Sequence, residues 1–107
     1  MNAGESEDEW IAIRYGAFWD VPRTFHLRWH GIDLIFDSEF DESLDEYSPE
    51  YIVVRVASAP PEKGTSWATS IDSGVLVGRM PVDRVRFDET RRRFVHRPSV
   101  ESVLGTL

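Results

Sequence analysis

The chain contains no cysteine, which excludes disulfides, thiolate zinc sites and a thiol nucleophile and makes a cytoplasmic setting the expectation. No apolar run approaches the roughly 20 residues needed to cross a bilayer, so no membrane partner is expected. Residues 1–9 hold four acids, Glu5, Glu7, Asp8 and Glu9, where a targeting segment carries Lys or Arg, and they are predicted to form a disordered acidic tail. Glutamine is absent, and asparagine and lysine occur once each against 11 arginines, a bias associated with GC-rich bacterial genomes. There is neither a phosphate-binding Walker A loop nor a glycine-rich dinucleotide fingerprint, and no cofactor is expected.

What is present fits one small domain over residues 10–107, in a chain of 107 residues with 12% aromatics as bulky core material. The net charge of −7 conceals an asymmetry: residues 1–50 carry 13 acids against 3 basic residues, and residues 51–107 carry 6 acids against 9 basic ones. Folded together, the halves present an acidic and a basic face unless cross-strand pairing neutralises them.

The clearest structural signal is Thr24–Asp37. A two-residue turn at His30-Gly31 pairs Trp29 with Ile32, Leu27 with Leu34 and Phe25 with Phe36 on one face, and Arg28 with Asp33 and His26 with Ile35 on the other. A lone hairpin is marginal in water, so this one must lie against something else. Before it, residues 10–15 alternate as a strand that Gly16 ends, and residues 17–23, with two adjacent aromatics and Pro22, are expected as a loop. After it, residues 37–50 hold seven acids with Phe40, Leu44 and Tyr47 at i, i+4 and i+7. That spacing suits a short amphipathic helix laid on the sheet, the competing form being an irregular acidic loop pinned by the three apolar residues.

Residues 51–57 are rich in β-branched residues and predict a strand with Ile52, Val54 and Val56 inward. Residues 58–73 are predicted as the longest loop, carrying a solitary Trp67, and strand character resumes at residues 74–80 with Gly78 at a bulge or close approach. Residues 84–88 and 92–96 fit a terminal hairpin in which either Phe94 or Val95 faces Val85. Ser99 is placed to cap a short C-terminal helix bearing Val100, Val103 and Leu104, which Gly105 would end. Six or seven short strands with one or two short helices predict a mainly β, antiparallel fold, curled into a small SH3-like or OB-like barrel or covered by the acidic helix.

The candidates for chemistry are sparse. His26 and His30 are four residues apart on a strand, about 13 Å, too far for one metal ion; His30 with Asp33 across the turn is the nearest alternative. Gly64-Thr65-Ser66-Trp67-Ala68 is a loose echo of a nucleophile elbow without the strand-to-helix context the elbow requires. The acids of residues 37–50 lack the central glycine of an EF-hand calcium loop and suit a solvated face or a surface that meets a basic protein. Loop tryptophans are enriched at interfaces.

Together these features point to a non-enzymatic protein-binding module, of an immunity-like or inhibitor-like kind, whose contact residues are Trp19, Asp41, Glu42, Asp45, Glu46 and Trp67. The alternative is single-stranded nucleic acid, held by Arg86, Arg91, Arg92 and Arg93 around Phe87 and Phe94. The interspersed acids and a sequence pI near 4.8 oppose it.

Overall fold

A computed structural model describes residues 9–60, 66–91, 93–105 and 107. Strands β1 (Trp10–Phe18), β2 (Pro22–Trp29), β3 (Ile32–Asp37), β6 (Glu50–Val56), β7 (Val75–Pro81) and β8 (Phe94–His96) form one antiparallel sheet in the order β7-β6-β3-β2-β1-β8. Strands β4 (Phe40–Asp41) and β5 (Glu46–Tyr47) form a second, two-stranded one. Helix α1 (Ser66–Ser73) follows β6, 3-10 turns cover Val82–Arg84 and Arg97–Val100, and α2 (Glu101–Leu104) ends the fold. Among the described residues no helix is long and apolar enough to cross a membrane.

The β2–β3 hairpin has the predicted register throughout, from Thr24 opposite Asp37 to Trp29 opposite Ile32. His30 (φ 49°) and Gly31 (φ 78°) are both left-handed, the geometry of a type I′ turn whose twist matches that of the strands. On one face Phe25 stacks on Phe36 at 4.7 Å and meets Tyr51 and Phe87 edge-on at 5.4 Å each. Around them lie Ile13, Leu27, Leu34, Val53 and Met80, with the C-terminal Val95, Val100, Val103 and Leu104 closing the cluster. Tyr51 is fully buried and donates its hydroxyl to the Pro22 carbonyl; burial drives its pKa far above the usual phenol range, so it remains a donor.

The second face is buried as well, which alters two expectations. Ile35, Val54 and Val56 pack beneath Trp67, with Ile52 and Ile71 beside them, so β6 sends Ile52, Val54 and Val56 to this side and Tyr51 and Val53 to the main core. His26, on this same face of the hairpin, is buried too. The part of the predicted loop from Ser66 onward is α1: Trp67 and Ile71, four residues apart, share the face it lays on the sheet. The Ser and Thr content around them masked this helix.

The sheet is open and does not form the predicted barrel. Segments on both faces bury its apolar side chains without closure, and the outer side of β8 is taken by residues 86–88, through a Phe87–Val95 bridge. That bridge also replaces both anticipated registers of the terminal hairpin. Its longer turn is organised by Asp88, whose carboxylate accepts the Thr90, Arg93 and Phe94 amides.

The acidic segment folds as the β4–β5 hairpin and not as a helix. In a helix Asp41–Asp45 and Glu42–Glu46 would be like-charge i, i+4 pairs, each destabilising. Instead Asp41 accepts the Ser43 amide at 2.9 Å and its hydroxyl at 2.6 Å, Asp45 turns left-handed (φ 54°), and Phe40 and Tyr47 meet edge-on at 5.0 Å. Leu44, an anchor in the helical scheme, is exposed at the tip.

β1 runs past Gly16, which sits at a register shift between Tyr15 and Ala17, so residues 17–23 narrow to a turn at residues 19–21. A Cβ on Gly16 would lie 2.7 Å from Cδ2 of Trp67: the bare backbone lets the indole of α1 lie on the strand. The predicted irregularity at Gly78 is a bulge, since Val53 pairs with Gly78 and Val54 with Leu76. Ser99 does not cap a helix; its hydroxyl donates to His96 O at 2.6 Å and accepts the Arg86 amide at 3.0 Å. Gly105 does end α2, its amide donating to Glu101 O at 2.8 Å.

Gly31→Val forces a β-branched residue into a left-handed position and is expected to cost about 1 kcal/mol or more. For a domain of this size that lowers the thermal midpoint by roughly 4–8 °C per kcal/mol; an unchanged midpoint refutes the turn. Gly16→Ala is expected to destabilise through its contact with Trp67. In a double-mutant cycle, Trp67→Leu should remove most of that loss, and simple additivity of the two changes refutes the contact.

Candidate functional site

Exposed aromatic and acidic side chains meet where the turn between β1 and β2 faces the β4–β5 hairpin. In the turn, Trp19 donates its amide to Val21 O at 3.1 Å and Val21 donates to Asp20 Oδ1 at 2.9 Å. The same carboxylate holds Arg23 through Nε and Nη2, both at 2.9 Å. Burial pushes Asp20 up, but backbone amides and the Arg23 guanidinium outweigh it and hold its pKa below the usual carboxylate value. The Arg23 guanidinium in turn lies 4.7 Å from the centre of the Tyr47 ring and donates to Ser38 Oγ at 3.2 Å.

Ser38 ties the hairpin to the sheet. Buried at the end of β3, it donates its amide to Arg23 O at 2.7 Å and its hydroxyl to Ser48 O at 2.7 Å, while the Ser48 amide donates to Glu39 O at 2.8 Å. The result is a cleft of about 530 Å³ lined by Trp19, Asp20, Arg23, Phe40, Asp45, Glu46 and Tyr47. Trp19 is 71% exposed and Phe40 42%.

Of the predicted contact residues, Trp19, Asp45 and Glu46 therefore line one cleft. Asp41 stands across from Glu46 on the hairpin, and Asp41 and Glu42 flank an adjoining depression with Glu39 and Ser48. Trp67 does not join them; it is buried beneath α1, with the Arg14 guanidinium 6.0 Å from its ring and Arg14 Nη2 donating to Pro60 O at 2.6 Å. Phe40, Tyr47, Asp20 and Arg23 were missed as site residues. The signal that finds Phe40 and Tyr47 is the like-charge spacing of residues 41–46, which disfavours a helix and leaves the two rings to pair across two strands; Asp20 and Arg23 join them only through tertiary contacts.

Two arginines of the alternative, Arg86 and Arg91, line a different, larger groove of about 1040 Å³. Arg84, Arg86 and Arg91 share it with Arg23 and with Asp20, Glu50 and Asp83. Arg91 donates to Asp20 O at 2.9 Å, and Arg86 stands 5.9 Å from the Trp10 ring. Arg93 does not line the groove, and Arg92 lies outside the described residues. Phe87, half-buried, lines the groove and packs edge-on against Phe25, and Phe94 is partly exposed.

The His30–Asp33 pairing does not form. His30 stacks on Trp29 at 4.1 Å, while Asp33 is buried between His26, at 2.8 Å, and Arg28, at 3.0 Å. Burial pushes Asp33 up, but the Arg28 and His26 hydrogen bonds hold its pKa below the usual value. It is therefore an acceptor, and His26 Nε2–H donates to it. Burial lowers the pKa of His26, opposed by the Asp33 hydrogen bond and supported by the Arg14 and Arg28 charges. No group of three or more His, Asp or Glu placed to hold a metal ion occurs among the described residues. The serine of the elbow-like stretch, Ser66, begins α1, and Gly64 and Thr65 lie outside the described residues.

A histidine whose folded pKa is depressed stabilises the fold above its unfolded pKa, near 6.5, and that contribution is lost as pH falls through the window down to its folded value. Urea unfolding of the wild type should show lower stability at pH 5.5 than at pH 7.5. His26→Gln, which keeps a donor for Asp33, should show a smaller loss over the same interval, and an equal loss in both proteins refutes the assignment. Comparison of the chain with protein-family models, with curated proteins and with solved structures finds no match in any of the three.

Proposed function

We propose that this protein is a protein-binding module and that its contact surface is the cleft between Trp19 and the β4–β5 hairpin, recognising a basic segment of another protein. The observation that carries this is the convergence of Trp19, Phe40 and Tyr47, each at least partly exposed, with the carboxylates of Asp45 and Glu46 at the rim. Aromatic faces attract cations, most strongly when partly desolvated, and surrounding carboxylates steer a basic partner toward them. Arg23 over Tyr47 is an internal instance of the same contact. An immunity-like or inhibitor-like role, covering a basic site on the partner, is the specific version of this proposal.

The test begins with affinity capture of the tagged protein from its host at low salt and continues with association kinetics on whatever is captured. Reversing Asp41, Glu42, Asp45 and Glu46 to Lys should slow association by about tenfold or more and flatten its salt dependence. Trp19→Ala should act mainly by speeding dissociation. A partner indifferent to both changes refutes this surface. Captured nucleic acid that is lost on replacing Arg84, Arg86 and Arg91 would transfer the function to the larger groove.

A further inference from the structure

The second face of the sheet carries a polar row that neither the Trp19 cleft nor the larger groove uses. Arg14 of β1 stands directly opposite His26 of β2, and the two-residue period of a strand places Arg28 on the same face, one step further along. Arg14, His26 and Arg28 line a cleft of about 410 Å³ together with Ile11, Ala12 and Ala59. His26 is only 7% exposed. Its Nε2–H is engaged by Asp33 at 2.8 Å, which leaves Nδ1 as an acceptor with no hydrogen-bond partner among the described residues. The two guanidiniums are only partly engaged. Arg28 donates from Nε and Nη2 to Asp33, and Arg14 donates from Nη2 to Pro60 O at 2.6 Å. Nη1 of both side chains has no hydrogen-bond partner among the described residues.

We infer that this cleft binds a phosphate group that still carries a proton, its P–OH donating to His26 Nδ1 and its charged oxygens accepting from Arg14 and Arg28. A buried acceptor left unpaired is costly, and native proteins rarely keep one without a water or an ion to meet it. The surrounding charges define the ion. Arg14 on β1 and Arg28 on β2 outweigh Asp33 on β3, and residues 56–60 add no charge, so the cleft is net positive around a neutral imidazole. Burial lowers the His26 pKa, and the two guanidinium charges add to this against the Asp33 hydrogen bond, which keeps Nδ1 unprotonated at pH 7.5. The ligand must therefore be an anion that also donates a hydrogen bond. Hydrogen phosphate does both, and planar guanidinium forks match its oxygens. Carboxylate and sulfate ions accept only. The cleft shares no residue with the one between Trp19 and the β4–β5 hairpin, so the two sites stand or fall separately.

Calorimetric titration of the full-length protein at pH 7.5 with inorganic phosphate, and with sulfate at matched ionic strength, should show phosphate binding about tenfold or more tightly than sulfate. A site built to accept a hydroxyl proton rejects the analogue that lacks it. In the same titration followed by NMR, the imidazole nitrogen resonances of His26 should move and those of His30 should stay. Arg14→Gln and Arg28→Gln, checked for wild-type circular dichroism, should each weaken phosphate binding about tenfold or more. Arg86→Gln, in the larger groove, should leave it unchanged. Methyl phosphate carries the same proton at pH 5.5, and tighter binding of it than of free phosphate there assigns the site to an ester, weaker binding to the free ion. Equal binding of phosphate and sulfate at pH 7.5 overturns the proposal, as does a His26 signal that phosphate leaves in place. Absence of phosphate binding, or binding lost with Arg86→Gln and kept with Arg14→Gln and Arg28→Gln, overturns it too.

Discussion

The fold depends on the register of one hairpin. A left-handed pair at His30-Gly31 sets β2 against β3, and because side chains alternate with period two, that single choice decides which residues every later segment meets. It turns Phe25 and Phe36 to the side where Tyr51 and Phe87 gather around them, and it turns Ile35 to the side covered by α1. It also places His26 and Arg28 within reach of one carboxylate, Asp33. A slip of one residue would expose the rings and bury Arg28.

Segments lie on both faces, so the sheet buries most of its apolar side chains without closing on itself. At β8 the chain folds residues 86–88 back along its own strand, while β7 has no backbone partner on its outer side among the described residues. Ser38, buried at the end of β3, ties the acidic β4–β5 hairpin to the sheet, and Phe40 and Trp19 stay at the surface beside the carboxylates.

Much of the strand content was readable from residues. Alternation in residues 10–15, the β-branched run from Ile52 to Val56 and the glycine at 78 correspond to β1, β6 and a real bulge. The failures share a cause. Phe40, Leu44 and Tyr47 fit a helical stripe as well as a hairpin, because three apolar residues in a short segment satisfy both periods, and only the repulsion between Asp41 and Asp45 and between Glu42 and Glu46 separates them. Trp67 and Ile71 are too few to announce a helix among Ser and Thr, and Gly16 gives no hint that its missing side chain makes room for an indole across the sheet.

By itself the sequence determined what short-range chemistry controls: a mainly β chain, the Asn-free but Gly-bearing turn at residues 30–31, the register around it, the glycine after the last helix and an acidic half joined to a basic one. These follow from backbone sterics and side-chain period, which act between near neighbours. Tertiary structure alone decided that the sheet stays open, that Trp67 is buried while Trp19 is not, and that Asp45 and Glu46 stand by Trp19. Those outcomes turn on contacts between residues far apart in the chain, where the balance of packing and repulsion is struck only once all the segments are in place.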